Sequence, residues 1–407
     1  MQSRNYGVLS IPVIVGALGY FVDIYDLLLF GIVRKPSLQD LGLTPEQVTT
    51  VGEDIISIQM AGLLIGGIIW GIMGDKKGRL SVLFGSIVLY SLANIANGLV
   101  QTTNQYALVR FIAGVGLAGE LGAGITLVSE LLSKEKRGIG TSLVAGLGLT
   151  GAVVAYFISQ TFHWRVCYYI GGGLGLLLLL LRVSVFESGM FHEVKKQNVS
   201  RGNFLMFFNK ADRFKTYLNS ILIGLPTWYV IGVLVTFSDQ FGKEFGIAEA
   251  INPGKAIMFA YVGIAIGDVL IGFVSHWLRS RKKALYLFYG LTALFIALFF
   301  AQQGGSAAQM YVICAGLGFA TGFWAVFVTM AAEQFGTNLR ATAATTVPNM
   351  VRGSLPLIIM LFKWLRPQIG YANAGMITGV VCMVIAIFAA INTKETFGKD
   401  LNYIETI

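Results

Sequence analysis

The feature that most constrains this chain is a succession of long apolar runs separated by short polar segments. Of its 407 residues, 55% are hydrophobic and only 13% are charged, whereas a soluble domain carries about 25% charged residues. A helix needs about 20 apolar residues to cross a bilayer, and the runs have this length. We therefore predict an all-α polytopic membrane protein with twelve transmembrane helices. The predicted spans are 11–33, 51–73, 80–101, 106–129, 138–161, 166–186, 217–239, 255–277, 284–301, 309–332, 343–365 and 373–391.

A charged stretch near the middle of the chain divides these runs into two sets of six. It is too polar to cross a membrane, and we predict that it is a central cytoplasmic loop between two six-helix bundles. The predicted division is 1–186 for the first bundle, 187–216 for the loop and 217–407 for the second bundle.

The two halves share a sequence pattern. Glu130 is followed by Arg137 after the fourth span, and Glu333 is followed by Arg340, with the same spacing, after the tenth. This repetition predicts two pseudo-symmetric bundles, an organisation in which the substrate binds near the membrane midplane between the halves.

The positions of the basic residues predict the orientation. Lys and Arg (30) outnumber Asp and Glu (21), and most of them fall in alternate loops that include the central one. Because basic loops stay on the cytoplasmic side, we predict a multi-pass protein of the bacterial inner membrane with both termini cytoplasmic. The excess of basic residues is thus explained by the orientation of the chain in the membrane, and we expect no nucleic-acid partner. The first apolar run also lacks the cleavage pattern of a signal peptide.

Several charged residues lie deep inside the predicted spans, where a charge costs at least about 2.5–3.5 kcal/mol and is usually functional. Among them, four acids face two arginines. An acid without a basic partner in an apolar environment takes up a proton, so this surplus predicts proton coupling. We expect Asp26 to pair with Arg110, which leaves Asp23 or Glu120 as the better proton carrier. The proton-coupling candidates are Asp23, Asp26, Glu120, Arg110 and Asp268.

Arg352, in the eleventh predicted span, has no acid in its own span, and its planar guanidinium suits a carboxylate. Aromatic residues are candidates for the rest of a substrate pocket, with Tyr20, Tyr261 and Phe323 among them. The predicted substrate-binding residues are Arg352, Tyr25, Trp228, Tyr229 and Trp324.

The loop between the second and third spans carries the pattern G-x-x-x-D-[RK]-x-G-[RK], formed by Gly71, Asp75, Gly78 and Arg79. It resembles the signature motif of the major facilitator superfamily, whose members are secondary transporters with twelve helices. Asp75 is placed to dock on the N-terminal end of the eleventh helix, where free N–H groups carry partial positive charge. We expect this contact to hold an inner gate shut. The predicted companion gating pairs are Glu130 with Arg137 and Glu333 with Arg340.

Within that superfamily, the run Asp23-Ile24-Tyr25-Asp26, the acid Glu120, and Arg340 followed by Arg352 resemble the metabolite:proton and aromatic-acid:proton symporters. The resemblance favours the first-span acids as proton carriers without choosing between them. It implies proton-coupled transport of a small organic anion, a carboxylate, by alternating access.

Other functions remain open on the sequence alone. The chain is also compatible with a sugar, amino-acid or drug carrier, including an exporter, and with a non-transporting sensor that has a transporter fold. We predict no enzyme, no cofactor and no metal, because the sequence has no HExxH, GxSxG or phosphate-loop pattern and its cysteines lack ligand spacing. The expected partners are a small-molecule substrate, protons and the lipid bilayer, and the expected state is a monomer.

Overall fold

The computed structural model describes residues 9–77, 79–120, 134–187 and 204–398, together with Gly7 and Leu132, and in this part the chain is helical. The first set of helices is α1 (Ile11–Asp40), α2 (Pro45–Lys77), α3 (Arg79–Asn97), α4 (Thr103–Leu117), α5 (Lys134–Thr161) and α6 (Trp164–Glu187). The second set begins with a 3₁₀ turn (Phe204–Phe207), α7 (Ala211–Leu222), α8 (Leu225–Tyr229), a π-helix (Val230–Val235) and α9 (Ser238–Glu244). It continues with α10 (Pro253–Trp277), α11 (Arg281–Phe300), α12 (Ala307–Thr321), α13 (Trp324–Glu333), α14 (Thr337–Gly353), α15 (Leu355–Ile369) and α16 (Tyr371–Asn392).

Ten stretches of the described chain are long and apolar enough to cross a membrane. A shorter apolar helix covers Ser81–Asn97, in the third predicted span. The fourth predicted span starts as α4, and its last part lies outside the described residues. The end of the predicted central loop is already helical, since α7 begins at Ala211 and is continuous with the apolar stretch that follows.

Glycines bring α10 and α12 into direct backbone contact. A Cβ atom on Gly318 would lie 1.9 Å from the carbonyl oxygen of Ala260, and one on Gly267 would lie 2.2 Å from that of Phe319. No side chain fits at these distances, so only glycine permits the approach, as is common between helices in membranes.

The same kind of contact joins α2 to α4 in the first half. A Cβ atom on Gly62 would lie 2.3 Å from the carbonyl oxygen of Phe111, and one on Gly66 would lie 2.4 Å from that of Val115. The second and fourth helices of one half thus pack as the second and fourth spans of the other half do.

The seventh, tenth and eleventh predicted spans are not continuous helices. The eleventh is divided at Ser354, between α14 and α15. The seventh is interrupted near Gly224 and contains the π-helix Val230–Val235. The tenth stops at Thr321 and starts again at Trp324. Helix breaks and π-turns are frequently found at functional sites. The interruptions of the seventh and tenth spans lie on the side of the second half that faces the first.

Glu395 ties the segment after α16 to the start of α11. Its carboxylate accepts hydrogen bonds from the Ser280 hydroxyl and from the backbone N–H groups of Arg281 (3.1 Å) and Lys282 (3.2 Å). Partial burial raises the pKa of Glu395, but these hydrogen bonds outweigh it and hold the pKa below its ordinary value. The carboxylate therefore stays ionised and fixes this end of the second half.

Substituting Gly267 with Ala should destabilise the contact between α10 and α12, because the added methyl group meets a backbone carbonyl that has no room to yield. Gly272→Ala on the same helix is the matched control, since nothing lies within 4 Å of its Cβ position and alanine favours a helix over glycine. We expect the melting temperature of the purified protein to fall by at least about 2 °C in Gly267→Ala and not in Gly272→Ala. Equal melting temperatures for the two variants would contradict this packing.

Candidate functional site

Asp23 of α1 and Arg352 of α14 face each other between the two halves of the chain. The Arg352 Nη1 and Asp23 Oδ2 atoms are 3.8 Å apart, and both side chains are almost completely buried. This distance is too long for a hydrogen bond. Among the described residues, both oxygens of Asp23 and the Nε and Nη1 atoms of Arg352 lack hydrogen-bond partners. A buried charge pair with unused hydrogen-bonding capacity is unusual and marks a site that is able to accept a ligand.

A cavity adjoins this pair and draws its walls from both halves. It holds about 20 Å³, enough for a water molecule and too little for an organic solute. Its lining residues are Tyr20, Ile24, Leu149, Thr227, Trp228, Tyr261, Ile264, Trp324 and Arg352.

Polar atoms beside the cavity reinforce its capacity to bind an anion. The Trp228 Nε1 and Thr227 Oγ1 atoms are buried and have no hydrogen-bond partner among the described residues. The guanidinium of Arg352 also lies over the Trp228 ring, 6.0 Å from its centroid. Donors without partners and an arginine thus surround a space with largely aromatic and aliphatic walls, an arrangement that fits an anionic group attached to an apolar body.

Of the five predicted substrate-binding residues, Arg352, Trp228 and Trp324 line the cavity. The other two, Tyr25 and Tyr229, lie elsewhere. The Tyr25 hydroxyl donates to the Cys167 carbonyl oxygen at 2.8 Å, and the Tyr229 hydroxyl donates to that of Gly375 at 2.7 Å. Each residue of a helix is rotated by about 100° from the one before it. Tyr25 therefore points about 160° away from Asp23, and Tyr229 about 100° away from Trp228. Tyr20 and Tyr261, named only as general aromatic candidates, lie at the cavity instead.

The second acid of α1 is held inside the first half. Asp26 Oδ1 accepts a hydrogen bond of 2.7 Å from Arg110 Nη1, and the backbone oxygen of Asp26 accepts another from Nη2 at 3.0 Å. Gln59 accepts a third bond from Arg110 at 3.2 Å. The predicted pairing of Asp26 with Arg110 is confirmed, and because this pair has several hydrogen bonds it is far more constrained than Asp23 and Arg352.

The count of four acids against two bases was wrong, because a third buried arginine belongs to the set. Arg182 of α6 donates two hydrogen bonds to the Glu120 carboxylate and one to the carbonyl oxygen of Leu83. Arg182 follows six consecutive leucines near the end of its span, where the sequence does not show that it points inward. With Glu120 engaged in this way, Asp268 is the core acid for which the described part of the chain supplies no cation.

A second set of charge pairs joins the halves at the end of the molecule that contains the α1–α2 turn, which the sequence predicts to be outer. Arg34 binds Asp239 at 2.8 Å and Lys35 binds the same carboxylate at 3.3 Å. Arg366 binds Glu53 through two hydrogen bonds of 2.8 and 3.4 Å. These pairs connect α1 and α2 to α9 and α15, so the two halves are in contact at this end in the state observed.

Comparison with known proteins agrees with this architecture. The sequence matches the Major Facilitator Superfamily over residues 16–360. The chain belongs to this superfamily. It is 27% identical to the niacin transporter NiaP of Acinetobacter baylyi over 95% of this chain and 94% of that one. It is 25% identical to the benzoate transport protein of the same organism over 87% and 82% of the two chains. Among solved structures, the proton:xylose symporter XylE has a TM-score of 0.72 at 17% identity, over 96% of this chain and 97% of XylE.

Membership of the major facilitator superfamily makes the chain a multi-pass membrane transporter and not an enzyme. The superfamily loop motif itself is only partly described. Gly71 packs beside Thr346 of α14, since a Cβ atom on Gly71 would lie 3.4 Å from Thr346 Cγ2. Asp75 and Arg79 lie in helices whose side chains are not described there, and Gly78 lies outside the described residues. The predicted docking of Asp75 therefore stays a prediction.

The predicted companion gating pairs are also only partly described, and they stay predictions. Glu130 lies outside the described residues, and Arg137 lies in α5 without a described side chain. Glu333 binds Arg281 through hydrogen bonds of 2.6 and 2.7 Å, a pairing that the sequence pattern does not indicate. Arg340 donates to the carbonyl oxygen of Phe335 at 3.4 Å.

The buried Glu120–Arg182 pair should contribute strongly to stability because either charge alone is costly in this environment. Arg182→Gln should lower the free energy of unfolding by about 3–5 kcal/mol. The control Lys363→Gln removes a partly exposed lysine that pairs with Asp54 and lies 3.9 Å from Glu53, which keeps its partner Arg366. Such a loss is worth at most about 1 kcal/mol. Both variants are compared with the wild type by chemical unfolding in detergent micelles.

If Arg182→Gln fails to fold, the double variant Glu120→Gln/Arg182→Gln should recover folded protein, since it leaves no uncompensated charge. A single variant as stable as the wild type, or a double variant less stable than the single one, would contradict the role of this pair.

Proposed function

We propose that this transporter moves a small aromatic carboxylate together with a proton by alternating access. The observation that carries the proposal is the buried, incompletely hydrogen-bonded pair of Asp23 and Arg352 beside a cavity with aromatic walls. The niacin and benzoate named for the relatives are both carboxylates on an aromatic ring, and this chemistry matches the charge and the walls of the cavity.

The substrate carboxylate would bind the planar fork of Arg352. Arginine stays protonated, and its Nε and Nη1 donors are available. Trp228 and Thr227 supply further buried donors at the same place. The aromatic ring would then contact Trp228, Trp324, Tyr20 and Tyr261, where stacked or edge-to-face contacts add about 0.5–1.5 kcal/mol each beyond burial.

The proton would bind Asp23. When the substrate carboxylate neutralises Arg352, Asp23 loses the only cation paired with it in the described chain, and an acid in this position takes up a proton because its charge is no longer compensated. Asp26 and Glu120 are less suited to this role, since Arg110 and Arg182 hold them with direct hydrogen bonds. Substrate and proton thereby favour each other's binding, which is the thermodynamic basis of symport.

For the architecture, we propose twelve membrane crossings in two six-helix bundles, 1–186 and 217–407, with both termini cytoplasmic in the bacterial inner membrane. The ten described candidate spans support this proposal. Further support comes from the matching glycine contacts of α2 with α4 and of α10 with α12, and from the alternation of basic loops. We further propose that the protein acts as a monomer, since the cavity lies between the two halves of one chain.

Alternating access also requires a closing contact at each face. The charge pairs of Arg34 with Asp239 and of Arg366 with Glu53 would close the outer face. The loop motif around Asp75 and the pairs near Glu130 and Arg340 would close the inner face. Pairs of this kind suit a switch. When a face opens, both charges return to water, and the hydration that they regain offsets much of the attraction that they lose.

Proteoliposomes with an acidic exterior should accumulate benzoate and nicotinate, and should not accumulate xylose. Arg352→Ala should raise KM for benzoate by about 10–100-fold, because charge-assisted hydrogen bonds to the carboxylate are lost. Lys283→Ala, a change at an exposed basic residue away from the cavity, is the control and should leave KM unchanged. Benzoate uptake that is the same in Arg352→Ala and the wild type would exclude the assigned anchor.

Asp23→Asn separates proton coupling from substrate movement. The neutral amide resembles the protonated acid, so we expect exchange of external labelled benzoate for internal benzoate to persist. Accumulation driven by a pH gradient should fall to the level of passive equilibration. Asp212→Asn, at an exposed acid near the start of α7, should behave as the wild type in both assays. Gradient-driven accumulation that survives in Asp23→Asn would show that the proton binds elsewhere.

A further inference from the structure

The break in the tenth span places an aromatic cavity residue at the start of a helix. After α12 ends at Thr321, Gly322 and Phe323 are not helical, and α13 begins with Trp324. The first N–H groups of any helix have no partner within that helix. Because Trp324 is the first residue of α13 and also lines the cavity, whatever holds the start of α13 also sets the position of the indole ring.

Asp268 of α10 fills this role in the structure. Its Oδ1 atom accepts a hydrogen bond of 2.9 Å from the backbone N–H of Ala325, with the N–H of Trp324 beside it. Phe323, the residue that precedes the helix, provides no capping hydrogen bond from its own side chain. The cap of α13 is thus supplied by a neighbouring helix, far away in the sequence.

The glycine contacts explain how a carboxylate of α10 reaches this helix start. A Cβ atom on Gly322 would lie 2.7 Å from Gly267 Cα and 2.8 Å from the backbone nitrogen of Asp268. The two backbones therefore touch at the break itself. The partial positive charge at the N-terminal end of α13 compensates the carboxylate, which accounts for a buried acid that has no cation in the described part of the chain.

We propose that Asp268 is a positioning residue that fixes Trp324 against the aromatic ring of the substrate. In this role it acts through its hydrogen bond to the α13 backbone and carries no proton during transport. The proposal rests on the proposed function for its effect on transport, because only an aromatic substrate profits from a fixed indole wall. Loss of the bond should therefore weaken binding of ring-bearing carboxylates more than binding of small aliphatic ones.

The first test needs no substrate. The purified full-length protein is labelled with 5-fluorotryptophan, and the ¹⁹F resonance of Trp324 is assigned from Trp324→Phe. Asp268→Ala should shift or broaden this resonance. Asp268→Asn keeps an oxygen that accepts the hydrogen bond and should leave the resonance near its wild-type position. Ser306→Ala removes the N-cap of α12, the other half of the same broken span, and is the matched control without effect. An unchanged Trp324 resonance in Asp268→Ala would overturn the proposal.

The second test separates positioning from proton transfer. In gradient-driven uptake, Asp268→Ala should raise KM for benzoate by about 10-fold while Vmax stays within about 3-fold, as expected for the loss of one aromatic contact. KM for acetate should change less. Asp268→Asn should recover most of the lost affinity for benzoate. If Asp268→Asn instead abolishes gradient-driven accumulation, Asp268 carries a proton and the positioning role is excluded.

The two tests also separate this inference from the proposed function. A wild-type protein that does not transport benzoate or nicotinate would refute the proposed function, whereas the Trp324 resonance would still decide whether Asp268 fixes the indole.

Discussion

The structure depends on one constraint, namely that every charge placed in the membrane interior needs compensation from within the chain. Four fully buried arginines of the described chain meet this requirement in different ways, and Arg34 does so through Asp239 at the predicted outer end. Arg110 and Arg182 are bound to Asp26 and Glu120 by several hydrogen bonds, which makes these pairs parts of the scaffold. Arg352 is the exception, because it lies 3.8 Å from Asp23 and shares no hydrogen bond with it. Among the described residues, this loosely compensated pair is also the pair beside the cavity, and the proposed function rests on this coincidence.

The location of each pair explains its role further. The pairs of Arg110 and of Arg182 lie within the first half, so they need not change when the halves move against each other. The pair of Asp23 with Arg352 spans the two halves, as do the pairs of Arg34 with Asp239 and of Arg366 with Glu53 at the predicted outer end. In the proposed alternating access, ion pairs within a half stabilise the helices, whereas ion pairs between the halves form and break during the transport cycle.

The sequence contains much of this fold, since apolar runs of crossing length and basic loops depend only on composition along the chain. It also predicts the pairing of Asp26 with Arg110 and the presence of Arg352, Trp228 and Trp324 at the cavity. It does not reveal Arg182 as a partner of Glu120, because these residues are brought together only by tertiary packing, in which α3 contacts both α4 and α6. Tyr25 and Tyr229 were misplaced for a related reason: apolar residues surround these helices on all sides, and periodicity then does not show which face points inward. The break before Trp324 is also hidden in a continuous apolar run.

The central claim is that a carboxylate substrate replaces Asp23 at Arg352 and that Asp23 then takes up a proton. Calorimetric titration of the purified protein with benzoate at constant pH, in two buffers with different enthalpies of ionisation, measures this proton directly. The account predicts uptake of about one proton per benzoate bound by the wild type and none by Asp23→Asn. Binding without proton uptake in the wild type, or with the same uptake in Asp23→Asn, would contradict it.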